Sequence, residues 1–180
     1  MMDDLSFVRV LSPEHPGYGA ALALYGVSFP AHEQREAASQ SRILGDARYH
    51  FELIFDGEEF VGDLLYWDMS NYAYVEHFCI LPGKRSRRYG ERTLAQLGRA
   101  GKPVILEIDP PVDAISVRRR GFYERCGYFE NPFPHIHPPY HAGNRGHDLV
   151  IMSSPAPISG ELYDTFARDL RDVVMKDAFS

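Results

Sequence analysis

The segment Leu81-Pro82-Gly83-Lys84-Arg85-Ser86-Arg87-Arg88-Tyr89-Gly90-Glu91 follows a strand-like run and precedes a helical pattern. A helix opening here leaves unpaired backbone N–H groups at its positive end, and such an end suits a pyrophosphate. Arg85, Arg87 and Arg88 would add point charges or bidentate contacts to the same oxygens, while a solvated basic turn is the simpler alternative. A second candidate is Glu76, within Tyr72-Ala73-Tyr74-Val75-Glu76-His77-Phe78-Cys79. Strand alternation puts Tyr72, Tyr74, Glu76 and Phe78 on one face and His77 with Cys79 on the other. A carboxylate among aromatic rings is poorly solvated, which predicts a raised pKa and service as a base; a salt-bridged or solvent-facing glutamate is the alternative. Cys79 reads as a small buried side chain rather than a nucleophile. The run His135-Ile136-His137-Pro138-Pro139-Tyr140-His141 admits zinc by its histidine spacing. Its paired prolines, with no cysteine nearby, fit a substrate loop better, and no metal is expected.

Those residues need elements to position them. Leu5 to Val10 reads as a first strand, and Ser12-Pro13-Glu14 as a helix start. That helix carries Leu22, Tyr25 and Phe29 on one stripe and stops at Pro30, and Ala31 to Gln40 reads as a second helix. Arg48 to Phe55, Glu59 to Trp67 and Tyr72 to Ile80 read as strands joined by turns at Asp56-Gly57 and Ser70-Asn71. Connections this short impose an antiparallel meander. A helix to about Ala100, the apolar strand Val104 to Ile108 and a helix from Ala114 to Cys126 follow, an order that implies a parallel crossover. Asn131 to Gly146 reads as a loop and His147 to Ser153 as a last strand. Leu162, Phe166, Leu170 and Val173 mark the core stripe of a C-terminal helix. The expected fold is α/β, a mixed sheet with an antiparallel first half and a parallel part.

At 180 residues with 44% hydrophobic residues, the chain fits one domain, residues 1–180, with 155–180 as a helical extension. The net charge of −6 argues against nucleic acid as the partner. The acidic start Met1-Met2-Asp3-Asp4 lacks the basic and apolar regions of a secretory signal, and no apolar run approaches the ~20 residues of a membrane span. With Cys79 and Cys126 expected as free thiols, these features predict a cytoplasmic protein without a membrane partner.

Arg85-Ser86-Arg87-Arg88-Tyr89-Gly90 resembles the coenzyme A loop of the GNAT (GCN5-related) acetyltransferases, Gln/Arg-x-x-Gly-x-Gly/Ala, with Arg88 standing where the middle glycine belongs. Pro82, Leu94, the strand Val104 to Ile108 and then Phe122-Tyr123-Glu124-Arg125-Cys126-Gly127-Tyr128 continue the likeness, which covers roughly residues 5–153. The resemblance implies a twisted mixed sheet of six to seven strands flanked by helices. It also implies N-acyl transfer from acetyl-CoA to an amine of a small molecule or polypeptide, by direct attack in a ternary complex of a monomer or homodimer. Tyr123 is then the acid for the departing thiolate, and Glu76 the base. Phe78, Cys79, Ile80, Arg85, Ser86, Arg87, Arg88, Tyr89, Gly90 and Glu91 are the cofactor-binding set, with a backbone N–H near Cys79 or Ile80 as oxyanion donor. Phe29, Arg35, His137 and Tyr140 would line the acceptor cleft. A coenzyme A-binding module without turnover and a metal sensor built on the histidine loop are the alternatives.

Overall fold

Hairpins build the first half of the computed structural model, which describes residues 4–179. The acidic start at Met1–Asp3 lies outside the described residues, as does Ser180. Strands β1 (Ser6–Arg9), β2 (Tyr49–Asp56), β3 (Glu59–Asp68) and β4 (Ala73–Ile80) pair antiparallel in succession. Gly57 sits at φ +61° in the β2–β3 turn, a conformation that favours glycine. Helix α1 (Tyr18–Ser28) and helix α2 (Ala37–Ile43) lie between β1 and β2. Helix α3 (Tyr89–Gly98) then crosses to β5 (Val104–Ile108), which is parallel to β4. Helix α4 (Ala114–Arg125) opens on a capping box, Asp113 accepting from the Ile115 and Ser116 amides and Ser116 bonding back. It leads to β6 (Phe129–Asn131), and a short hairpin of β7 (Ile136–His137) and β8 (His147–Asp148) follows. Strand β9 (Val150–Ser154) inserts between β5 and β6, antiparallel to both, giving the order β1-β2-β3-β4-β5-β9-β6. Helix α5 (Gly160–Asp169) ends in a π-helical turn, Leu170–Val174.

The seven-stranded mixed α/β sheet matches the expected architecture, and several boundaries move for local reasons. The first helix begins at Tyr18 rather than Ser12, since Pro16 has no N–H and residues 12–17 form successive turns. The second predicted helix is broken. A 3₁₀ turn, Ala31–Glu33, is followed by extended Gln34 and then α2, with the Gln34 side chain donating to the Phe29 carbonyl at 2.6 Å. The last strand splits at Leu149, whose N–H bonds the His135 carbonyl at 3.1 Å. In the C-terminal stripe, Phe166, Leu170 and Val174 are buried, so the π turn shifts the stripe from Val173 to its neighbour.

Two apolar clusters fill the two sides of the sheet. Tyr18, Tyr25, Phe51, Trp67, Tyr74 and Phe166 belong to one, with α1 and α5 over it. Ile54, Leu64, Val75, Tyr89, Leu94 and Leu106 belong to the other, under α3 and α4. Both cysteines are free thiols. Among the described residues, no helix is long and apolar enough to cross a membrane.

Candidate functional site

Strands β4 and β5 pair only at Ala73, Tyr74 and Val75. Beyond Val75 they part, and a cleft of about 740 Å³ opens between them. The cause is a β-bulge. Leu65 faces His77, yet Tyr66 faces Val75, so Glu76 has no partner on β3. An extra residue bends and twists its strand, which directs the end of β4 away from β5. It also resets the alternation expected from sequence. Glu76 and His77 both touch Tyr140, whereas Phe78 joins the cluster under α3 and α4. His77, expected on the far face, therefore sits beside Glu76 in the cleft wall.

Glu76 is tied at both oxygens. Oε1 accepts from Arg35 at 2.7 Å and from the Tyr140 hydroxyl at 3.0 Å, and Oε2 accepts from the Trp67 indole at 2.7 Å. Both side chains of the Arg35–Glu76 pair have 0% exposure. Burial alone would push the Glu76 carboxyl up, but the Arg35 guanidinium, with His77 and Trp67, outweighs it and holds the carboxyl down to about 2. The raised pKa expected for a base is thus overturned. Aromatic neighbours are visible in sequence, but the guanidinium that balances the charge comes from 41 positions away. Arg35 is corrected with it. Placed as an acceptor-cleft residue from sequence, it lies behind the wall, also bonding Ser39 at 3.2 Å and the Val174 carbonyl at 2.9 Å.

The basic loop forms the other end of the cleft. A 3₁₀ turn, Pro82–Lys84, leads to Arg88 and the start of α3, whose first turn receives no side-chain cap. Arg88, in the place of the family's middle glycine, has φ +61° and ψ 14°. The left-handed backbone that a glycine would supply is therefore kept, at roughly 1–2 kcal/mol for a residue with a Cβ. Its guanidinium turns outward to Glu91, at 2.7 and 2.8 Å. Gly90 is needed for packing, since a Cβ there would stand 2.9 Å from the Phe122 ring. Arg85, Ser86, Arg88, Tyr89, Gly90 and Glu91 line the cleft, and so do Phe78, Cys79 and Ile80. Arg87, expected with them, is not on the lining. Arg85 and Arg125 face the cleft with no hydrogen bond or ion pair among the described residues.

Along the unpaired edge of β4, the Leu81 N–H is spent on the Val61 carbonyl at 2.9 Å. By alternation the Cys79 N–H also faces β3, and the N–H groups of Phe78 and Ile80 face the cleft. Of the two residues expected to offer an oxyanion donor, Ile80 is directed to the cleft and Cys79 is not. Burial, with Asp63 nearby, pushes the Cys79 thiol up to about 12, which suits a packed side chain. Tyr123 lines the cleft from α4, its hydroxyl without a hydrogen-bond partner among the described residues and its pKa pushed up to about 12 by burial.

Phe29, His137 and Tyr140 line the opposite end. The sequence reading missed Glu107, a lone carboxylate in the apolar run of β5, which also lines the cleft. It receives the Tyr74 hydroxyl and contacts His135 Nε2, and His137 Nε2 lies 4.0 Å away. Burial would raise the Glu107 carboxyl, but His137, His135 and Tyr74 together hold it below its ordinary value. The three loop histidines point apart. His135 turns to Glu107, His137 Nδ1 to the Pro138 carbonyl at 2.6 Å, and His141 to the Ala31 carbonyl at 3.0 Å. Among the described residues no group of three or more His, Cys, Asp or Glu side chains is placed to hold a metal ion.

A seven-stranded mixed sheet, splayed at β4–β5 by a bulge and followed by a basic loop opening α3, is the GNAT acetyltransferase fold, and this chain has it. The chain is similar to a protein from Bacteroides thetaiotaomicron described as a GNAT-family acetyltransferase. The two share 28% identity over 94% of this chain and 98% of that one, with a TM-score of 0.88. An aminoglycoside 6'-N-acetyltransferase complexed with coenzyme A matches at 14% identity over 87% and 99% of the two chains, TM-score 0.59. The ribosomal-protein-S18-alanine N-acetyltransferase of Escherichia coli matches at 19% identity over 87% and 97%, TM-score 0.55. No protein-family model matches the sequence, and no curated protein matches it.

Proposed function

We propose that this chain is an acyl-CoA-dependent N-acyltransferase, transferring an acetyl group to a primary amine of a small molecule or polypeptide. The observation that carries the proposal is the splayed β4–β5 cleft, with a basic helix N-terminus at one end and Tyr123 on its wall. In this reading the donor's pyrophosphate meets the first-turn amides of α3 and Arg85, while its pantetheine arm pairs with the open edge of β4. The N–H of Phe78 or Ile80 faces the thioester carbonyl and stabilises the oxyanion. A neutral amine attacks the carbonyl carbon, the C–N bond forms and the C–S bond breaks. Tyr123 gives its phenolic proton to the departing sulfur, and burial, which holds the phenol up to about 12, keeps that proton in place until the thiolate forms. The proton shed by the new amide nitrogen restores the phenol.

Glu76 serves here as a positioning residue that fixes Tyr140 in the cleft wall and Arg35 behind it, not as the base. The acceptor enters between Phe29 and His137. Two solved relatives of the fold are named for amine acceptors, the S18 alanine and an aminoglycoside, which supports an amine without choosing its size. Free thiols suit a reducing compartment, and a cytoplasmic location is part of the proposal. The test is amine-dependent release of free thiol from acetyl-CoA across a panel of small amines and peptide N-termini. The expected result is release with at least one class. Donor binding without discharge by any amine would support a coenzyme A-binding module instead.

A further inference from the structure

Direct attack needs a neutral amine, so some group must take a proton from the incoming ammonium, and Glu76 is excluded by its three donors. Most other proton acceptors on the cleft lining are also spent. Asp109 is paired with Arg119 at 2.7 Å, Glu91 with Arg88 at 2.7 Å, and Glu107 holds Tyr74 and His135. His77 donates through Nε2 to the Glu33 carbonyl at 2.8 Å, and burial holds its pKa below the ordinary value, so its charged form is disfavoured.

His137 is different. Its Nδ1 lies 2.6 Å from the Pro138 carbonyl, an acceptor only, so Nδ1 carries the proton and Nε2 the lone pair. Among the described residues nothing donates to that lone pair. The nearest oxygens are the Tyr140 hydroxyl at 3.5 Å, whose proton goes to Glu76 at 3.0 Å, and Glu107 Oε1 at 4.0 Å, a carboxylate. The ring is fixed by stacking on Tyr140, centroids 5.0 Å apart at 27°.

Resting on the acyltransferase reading above, we infer that His137 is the general base. Nε2 takes one proton from the acceptor ammonium, leaving the neutral amine to attack, and the imidazolium is balanced by the Glu107 carboxylate before it returns the proton to water. The charged and titratable groups around it are Glu107 from β5, His77 and Glu76 from β4, Arg35 from the segment before α2, Tyr140 and His135 from its own loop, and His147 of β8, which faces it across the β7–β8 pair and also lines the cleft with a buried Nε2. Arg35 is neutralised by Glu76, so the Glu107 carboxylate is the charge nearest to Nε2, at 4.0 Å.

The test is His137→Asn, which keeps a donor near the Pro138 carbonyl and removes Nε2. Acetyl-CoA binding, measured alone, should stay within about threefold, while kcat/KM for a strongly basic amine falls roughly 100-fold or more. The acidic limb of the wild-type profile should disappear, leaving a rate that climbs with pH toward the pKa of the amine. A loss under threefold with the limb unchanged overturns the inference. A second measurement uses wild type alone, with acceptors of graded amine pKa. A limb whose midpoint stays fixed supports an enzymic base, and a midpoint that tracks the amine overturns it. If wild-type protein binds acetyl-CoA but acylates no amine, the acyltransferase reading fails and takes this base with it.

Discussion

Replacing Arg35 by methionine removes the counter-charge of Glu76 while keeping much of the apolar stem. In the native fold, Glu76 is held at about 2 against an ordinary 4.5, which corresponds to about 3 kcal/mol of stabilisation of the charged form. Deleting one partner of a buried ion pair costs about 3–5 kcal/mol on general grounds, so the two figures agree. A domain of this kind has only about 5–15 kcal/mol in total. The sign with pH is specific. In wild type the depressed pKa makes the contribution complete above about 4.5 and lost as pH falls through about 2. In the variant the unpaired, buried carboxyl has a raised pKa, so stability is greatest below the unfolded value and falls as pH rises. Urea unfolding at pH 7 and pH 5 should therefore show a deficit of about 3–5 kcal/mol at neutral pH that narrows at the lower pH. Adding Glu76→Gln to the variant should recover part of the loss at pH 7. A deficit under ~1 kcal/mol, or one unchanged by pH, would refute the pairing as the organiser of this wall.

Three further perturbations probe other parts of the molecule. Gly62→Ala would put a Cβ 2.4 Å from the Cys79 carbonyl and pry β3 from β4 beneath the cleft. A loss of about 2–3 kcal/mol is expected in thermal or urea unfolding. Asp63 is wholly buried, with both oxygens unpartnered among the described residues, and burial pushes its pKa up to about 8. Wild-type stability from this group is present below the ordinary carboxyl range and lost as pH rises toward 8. Asp63→Asn should accordingly flatten the melting profile between about pH 4 and pH 8, and an unaltered profile would mean that Asp63 finds a partner. Tyr123→Phe should lower turnover about 100-fold, with acetyl-CoA affinity within twofold; a loss of donor binding instead would make the phenol a packing group.

What the sequence made legible was local. Hairpin turns, the apolar β5 run and the loop from Pro82 to Gly90 could each be read from neighbouring residues, and together they implied the sheet and the donor end of the cleft. The acceptor end was obscured for a physical reason. A one-residue bulge at Glu76 inverts the facing of every residue after it, and no residue type announces a bulge in an aromatic, β-branched strand. Arg35 looked like a cleft cation because its run was read as a continuous helix, whereas the extended segment at Gln34 turns the guanidinium into the core. Glu107 was visible as a solitary acid in a buried strand, a pattern that demands partners, but its histidine and tyrosine partners lie in distant segments. Arg88 reads differently with the backbone in view, since the left-handed turn survives the loss of its glycine.

The central claim is that the β4–β5 cleft holds an acyl-CoA, and thermal unfolding of the wild-type chain with acetyl-CoA tests it most directly. At 100 times the dissociation constant a true ligand adds about 2.7 kcal/mol. For a chain of this size that is a rise in Tm of roughly 5–11 °C. Such a rise, diminished by Arg85→Ala, is the predicted result, and an unmoved transition at saturating acetyl-CoA would contradict the account.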